Sequence, residues 1–253
     1  MPSYAFLVEY DGTEFVGWQR QSNGVSVQEI IEGAAAHLNG GELPKATASG
    51  RTDSGVHAHG QVVQIAVHAA LAPARMRAAL DFHTRPHRIA IRGAAFAAPG
   101  WSPRFSAIQR HYCFRLLNRA ARPALEAGRV WHVPLPLDAQ AMHAAAQLLL
   151  GQHDFTAYRA TSCQAKSPVR TMERLDVVRA GEEIHVFASA RSFLHHQVRN
   201  LVGTLYEVGL GRRPIAWPRE VLDSKERRGA GQTAPPQGLS LLSVDYPEPI
   251  IWL

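Results

Sequence analysis

The sequence predicts an α+β fold of two ferredoxin-like halves, residues 1–104 and 105–253. Three observations carry this expectation. Both halves approximate the order strand–helix–strand–strand–helix–strand. Hydrophobic residues make up 46% of a 253-residue chain, enough to bury a sizeable core. Residues 99–104 separate the two patterned regions, which share an order of elements but no residue-level repeat.

The elements follow in order. Residues 4–10 alternate as a half-buried strand, closed by the turn residues Asp11 and Gly12. Ser26 and Glu29 form a capping box, in which hydroxyl and carboxylate satisfy orphan amides reciprocally. Behind it Val27, Ile30, Ile31, Ala34, Ala35 and Leu38 recur at helical spacing, and Gly40 is a stop signal. Residues 61–67 read as a strand. Pro73 opens a second helix carrying Met76, Ala79 and Leu80, and residues 89–97 read as strand again. In the second half, Ile108, Tyr112, Phe114 and Leu116 share one face of a strand. Asp138 is an N-cap for a helix through Leu150, ended by Gly151. Residues 175–178 and 184–188 are strands around Ala180-Gly181. Residues 193–208 read as the most apolar helix, with Leu194, Val198, Leu201, Val202 and Leu205 on one face. Residues 239–246 close the fold. Residues 224–238, with Arg227, Arg228 and Pro235-Pro236, read as a long flexible loop.

Charge narrows the function classes. Lys plus Arg is 27 against 21 Asp plus Glu, and only Lys45, Lys166 and Lys225 are lysines. Arginine suits bidentate phosphate contacts and stacking on bases, so nucleic acid is an expected partner. The basic excess lies almost wholly in residues 105–253, where a polyanion should lean. No apolar stretch approaches about 18 residues, so no membrane span is expected. The N-terminus lacks the pattern of a secretory signal. Two cysteines without a CxxC exclude a disulfide scaffold and suit a reducing cytoplasm.

The densest polar segment is Gly50-Arg51-Thr52-Asp53-Ser54-Gly55-Val56-His57-Ala58-His59-Gly60, a glycine-bracketed loop before a strand. A carboxylate, an arginine and two histidines there make a candidate active site; a plain Asx-turn capped by Asp53 is the simpler alternative. Arg51 folded back on Asp53 would favour the ionised carboxylate, and an ionised Asp with no second acid nearby suggests a nucleophile or base. His57 and His59 have ligand spacing, but no Cys or carboxylate cluster completes a metal set, and Pro86 separates His83 from His87. No Walker or Rossmann glycine pattern is present, so neither metal nor nucleotide cofactor is expected.

These residues resemble the signature loop of the tRNA pseudouridine synthase A family. Tyr10-Asp11-Gly12-Thr13-Glu14-Phe15-Val16-Gly17-Trp18-Gln19-Arg20-Gln21 resembles its N-terminal motif, and Arg104-Phe105-Ser106-Ala107 with Arg110-His111-Tyr112 its central strand. His153-Asp154-Phe155-Thr156, Phe193-Leu194-His195-His196-Gln197-Val198-Arg199-Asn200 with Val202-Gly203-Thr204, and Thr233-Ala234-Pro235-Pro236-Gln237-Gly238-Leu239 follow in order. The resemblance implies two ferredoxin-like halves joined into one extended, mainly antiparallel sheet, with helices on one face and a central active-site cleft. It implies conversion of uridine to pseudouridine at positions 38, 39 and 40 of the tRNA anticodon stem-loop by a homodimer without cofactor. By match to its motifs, Asp53 is the nucleophile, Tyr112 stacks on the target base, Arg199 pairs with the aspartate, and Arg51 helps displace the nucleotide. His57 and His195 are candidate RNA contacts, and Arg227 and Arg228 candidate phosphate contacts. Phe114 stands where the family usually has Tyr, which removes a hydroxyl there. Trp101-Ser102-Pro103 and Asp81-Phe82-His83-Thr84-Arg85-Pro86 also depart from the usual pattern.

Two other classes fit less of the sequence. A non-catalytic module of paired RNA-binding sheets keeps the basic half but has no need of Asp53, and the chain lacks the RNP1 pattern. A small-molecule enzyme with an aspartate nucleophile leaves the basic second half unexplained.

Overall fold

The computed structural model describes residues 1–253. The fold is α+β, with mainly antiparallel strands, and its chain forms two compact units. The first is Met1–Gln109 with Leu241–Leu253, and the second is Arg110–Ser240. The boundary expected after residue 104 thus falls after Gln109, and the closing segment joins the first unit. Contacts explain why. Ile108 N donates to Asp245 O at 2.9 Å and the Tyr246 hydroxyl to Pro103 O at 2.8 Å. Ala94 and Leu253 exchange backbone bonds at 3.1 and 3.0 Å. Trp252 covers Gly93 so closely that a Cβ there would lie 2.7 Å from the Trp252 Cβ and 3.2 Å from the indole Cγ.

In the first unit β1 (Ser3–Tyr10) lies between β3 (His57–Ala66) and β4 (Ile89–Phe96), antiparallel to both. The short β2 (Thr47–Ala48) pairs with β3, and β10 (Leu239–Asp245) lies on the same side of it. Helices α1 (Val27–Ala36) and α2 (Pro73–His83) complete the expected ferredoxin-like order. Ser26 caps α1 by accepting from Glu29 N at 3.2 Å, and Pro73 opens α2. Helix α1 ends at Ala36, short of Leu38, and Ile30 is only half-buried. Alternation does not foretell Glu32. It is buried because its carboxylate accepts from Ala46 N, Gln28 Nε2 and Arg20 Nη2, each at 2.9 Å.

In the second unit β5 (Gln109–Asn118) pairs antiparallel with β9 (Glu183–Ala190), β9 with β8 (Val169–Ala180), and β8 with β7 (Gly151–Asp154). The three-residue β6 (Trp131–Val133) runs parallel to β5. Asp138 caps α3 (Ala139–Gln147) through bonds of 2.9 Å from Gln140 N and Ala141 N. Ile108 is exposed and outside the strand that carries Tyr112. Strands β6 and β7 and helix α5 (Trp217–Ser224) are additions to the expected elements. No helix is long and apolar enough to cross a membrane.

Helix α4 (Gln197–Gly209) begins later than residue 193, because His196 takes a left-handed φ of 62° that an α-helix cannot continue through. Phe193 and His195 therefore lie in the lead-in. The segment at residues 224–238 is not the flexible loop expected. It contains 3-10 turns at Arg227–Gly229 and Pro236–Gly238 and straps onto α4. Gly203 admits this contact: a Cβ there would sit 1.7 Å from Gln232 O. Thr204 Oγ1 accepts from Gly231 N at 3.0 Å and donates to Asn200 O at 2.8 Å.

A charge cluster ties β5 to β9. Arg115 Nε and Nη2 donate to the two oxygens of Glu183 at 2.9 and 2.7 Å, and Nη2 also meets Glu126 at 2.7 Å. The Arg115 bonds outweigh burial and, with His185, hold the Glu183 carboxyl down at about 2. A depressed folded value stabilises above the unfolded range near 4.5 and loses that contribution as pH falls through about 2. Glu183→Gln should therefore lower stability by about 1 kcal/mol above pH 5, after allowance for partial exposure, or about 2–4 °C in Tm. The difference between variant and wild type should shrink as pH falls from about 4.5 towards 2. Thermal unfolding across that range checks it; a constant difference would mean that the ion pair contributes nothing.

Candidate active site

In the first unit the signature loop runs between β2 and β3 and is held by the segment that follows β1. The Tyr10 hydroxyl shares a buried 2.8 Å hydrogen bond with Thr52 Oγ1. Burial pushes the Tyr10 phenol up to about 12, against the opposing effect of Thr52 and Gln61, so it stays neutral. Trp18 N donates to Thr52 O at 3.1 Å, and Gly55 N to Phe15 O at 3.3 Å. The Ser54 hydroxyl donates to Phe15 O at 3.2 Å. Gly17, at φ 108°, lets the two segments approach: a Cβ there would lie 2.6 Å from Thr52 O. Below the loop, Gln61 accepts from the Ser49 hydroxyl at 2.6 Å and donates to Gly50 O at 2.9 Å.

Asp53 heads a turn in which its carbonyl accepts from Val56 N at 3.1 Å and Gly55 takes φ 77°. Its side chain is half-buried, whereas Arg51 is exposed. His57 has a different place from the expected RNA contact. It is buried, and its Nδ1 accepts from Gly12 N at 3.0 Å, 3.2 Å from Asp11 Oδ1. The buried His57 ring thus braces the turn beside Asp11. Burial disfavours the Asp11 charge, but the Thr13 hydroxyl and amide, His57 and Arg88 outweigh it and hold its carboxyl down at about 2. The bracing residues Tyr10, Asp11, Gly12 and Gly17 lie in the N-terminal motif. Nothing local in the sequence marks Arg88, which lies 3.2 Å from Asp11 Oδ2.

In the second unit, Tyr112 lies on β5 opposite Ala188 of β9. Its ring meets Phe193 edge-on, with centroids 5.2 Å apart and planes at 87°, a contact that fixes ring orientation. Phe114 is fully buried and packs edge-on against Trp131, a core role for the departure from the family pattern. Arg199 occupies the first turn of α4, half-buried, and its Nε donates to Ala234 O at 2.8 Å. Ala234 N in turn donates to Arg199 O at 3.1 Å. His195 is exposed; its carbonyl accepts from Ala160 N at 2.9 Å and its Nδ1 lies 3.3 Å from Ser162 Oγ.

Arg227 and Arg228 divide. Arg228 is exposed. Arg227 is half-buried and spends both terminal nitrogens on its own unit. Nη1 donates to Gly231 O at 2.9 Å, and Nη2 to Asn200 Oδ1 and Thr233 Oγ1, each at 3.0 Å. Asn200, itself fully buried, completes the cluster by donating to Tyr158 O at 2.9 Å. The sequence carried one signal of this packing, a glycine inside a helix at Gly203, where only close approach of another backbone justifies its cost.

Comparison with known proteins gives these residues a context. A family model described as tRNA pseudouridine synthase matches residues 6–105 and 145–247. A tRNA pseudouridine synthase A of Acidiphilium cryptum is 57% identical over 247 residues, covering 97% of each chain. One from Methylobacterium sp. (strain 4-46) is 51% identical over 98% of this chain and 99% of its own. One from Gluconobacter oxydans is 46% identical over 97% of this chain and 90% of its own. With a match of this extent, through both units and including the loop that carries Asp53, the chain belongs to the tRNA pseudouridine synthase family of isomerases.

Proposed function

We propose that this chain isomerises uridine to pseudouridine at positions 38, 39 and 40 of the tRNA anticodon stem-loop, with Asp53 as nucleophile. The observation that carries the reading is the Asp53 carboxylate at the head of a hydrogen-bonded turn, on a loop braced by a buried tyrosine. The reaction needs a placed carboxylate and no external reagent. The C1′–N1 bond breaks, the base turns, C5 bonds to C1′, the C5 proton leaves and N1 takes up a proton. A carboxylate serves this by adding at C6 or by assisting departure at C1′.

The target base must first leave the stack. Arg51, exposed on the Asp53 loop, is suited to displace it. Tyr112, steadied by the edge of Phe193, offers a ring on which uracil stacks. In this reading Arg199 is the partner of Asp53 that its match to the family motif implies. His195 and Arg228, both exposed, are RNA contacts in this reading, and the basic second half takes the phosphates. The reading includes a homodimer, implied by the resemblance, and a cytoplasmic setting, which two free cysteines suit.

Incubation with tRNA tritiated at uridine C5 tests the activity, because isomerisation releases that hydrogen to water. Asp53→Asn should reduce release below about 1% of wild type while tRNA binding stays within about tenfold, since the amide keeps shape and loses the nucleophile. Release well above that level removes Asp53 from the nucleophile role.

Tyr112→Phe keeps the stacking ring, so it separates ring from hydroxyl. Loss of turnover with base capture intact assigns the hydroxyl a proton transfer during reattachment. Tyr112→Ala should lose both turnover and capture. Full activity in the Ala variant would show that no stacking platform is needed there.

A further inference from the structure

We infer that Arg227 is a positioning residue, acting through the strap at residues 231–234 to hold Arg199, rather than a contact to RNA phosphate. The inference rests on the functional reading above and adds a residue to it. Its ground is the chain of bonds within the second unit. Arg227 grips the strap at Gly231 and Thr233, and at the same time grips α4 through Asn200. The Thr233 hydroxyl donates to the same Asn200 oxygen at 2.7 Å. The next residue, Ala234, is fully buried and meets Arg199 twice, once through each backbone polar group. Arg199 Nε is thus aimed by a carbonyl whose own position depends on the strap.

The chemistry of the acceptors supports this role. All three groups that receive bonds from Arg227 are neutral oxygens, one carbonyl, one amide and one hydroxyl. A guanidinium fork matches such a planar set, and a lysine would meet only part of it. The strap also has little room to shift, since Gly231 and Gly203 pack backbone against backbone: a Cβ on Gly231 would lie 2.3 Å from Gly203 O. Loss of the fork removes the bonds that fix Gly231 and Thr233, and a shift small enough to keep that backbone packing is enough to misalign the Ala234 carbonyl one residue on.

The test uses the full-length protein and C5-tritiated tRNA, with single-turnover rates at saturating enzyme and tRNA binding across a salt series. Arg227→Ala should lower the rate by about tenfold or more, with tRNA affinity and salt slope unchanged within about twofold. Thr233→Val, near-isosteric, should lower it in the same direction, and Thr233→Ser should restore it. In an Arg199→Lys background, which lacks the Nε donor, Arg227→Ala should cost far less than in wild type. An unchanged rate with a salt slope reduced by about one would make Arg227 a phosphate contact and overturn the inference. An equal cost in both backgrounds would overturn it as well, because Arg227 would then not act through Arg199. Should Arg227→Ala fail to fold, the Thr233 pair decides: equal rates for Val and Ser contradict the inference. Wild-type protein that releases no tritium would instead overturn the functional reading itself.

Discussion

The buried hydrogen bond between Tyr10 and Thr52 is the constraint on which the order of the Asp53 loop rests. A loop that keeps a carboxylate accessible cannot use the sheet's own ladder. It needs order from another source. Here the end of β1 and the turns after it supply that order. Thr52 is tied by its hydroxyl to Tyr10 and by its carbonyl to Trp18, and the residues after Asp53 are tied to Phe15. The apolar surroundings that raise the Tyr10 phenol also strengthen the bond, since water cannot compete for either hydroxyl. One rung further along, His57 and ionised Asp11 lock the Asp11-Gly12 turn that launches the bracing segment.

The second unit solves a similar problem with a different part. Arg199 is a charge in the first turn of a helix whose other residues are mostly buried. Its guanidinium is aimed by the Ala234 carbonyl rather than by packing alone. That carbonyl belongs to a strap with no regular secondary structure at this point, so the strap is fixed by a cluster of buried polar groups on α4. Both units therefore hold a proposed site residue by hydrogen-bonding an irregular segment to a regular element. Both use glycines where backbones touch, Gly17 in one and Gly203 in the other.

Much of this was legible in the sequence. The α+β class, the capped start of α1, Pro73 at the head of α2 and the hairpin of β8 and β9 followed from periodicity and local signals. The start of α4 did not, because the apolar spacing runs on through Phe193 and Leu194 while the left-handed turn at His196 leaves no trace in hydrophobicity. The strap misled for the opposite reason. Gly, Pro and Arg in residues 224–238 have the composition of a solvated loop, yet its order comes from Asn200 and Thr204 on another element. Local sequence cannot report such a contact. His57 illustrates the same limit, since a histidine in a polar loop looks available until its neighbour Gly12 is seen to use it.

An Asp53 loop held by bonds within its own unit is rigid before any RNA arrives. Native-state hydrogen exchange of the Trp18, Gly55 and Val56 amides measures this directly. These donate to Thr52, Phe15 and Asp53 carbonyls, so their protection reports the brace and the turn themselves. Protection in the free protein should lie within about tenfold of that of the β3 amides. Exchange at the rate of an open surface loop would contradict it and would make the loop's order a consequence of substrate binding.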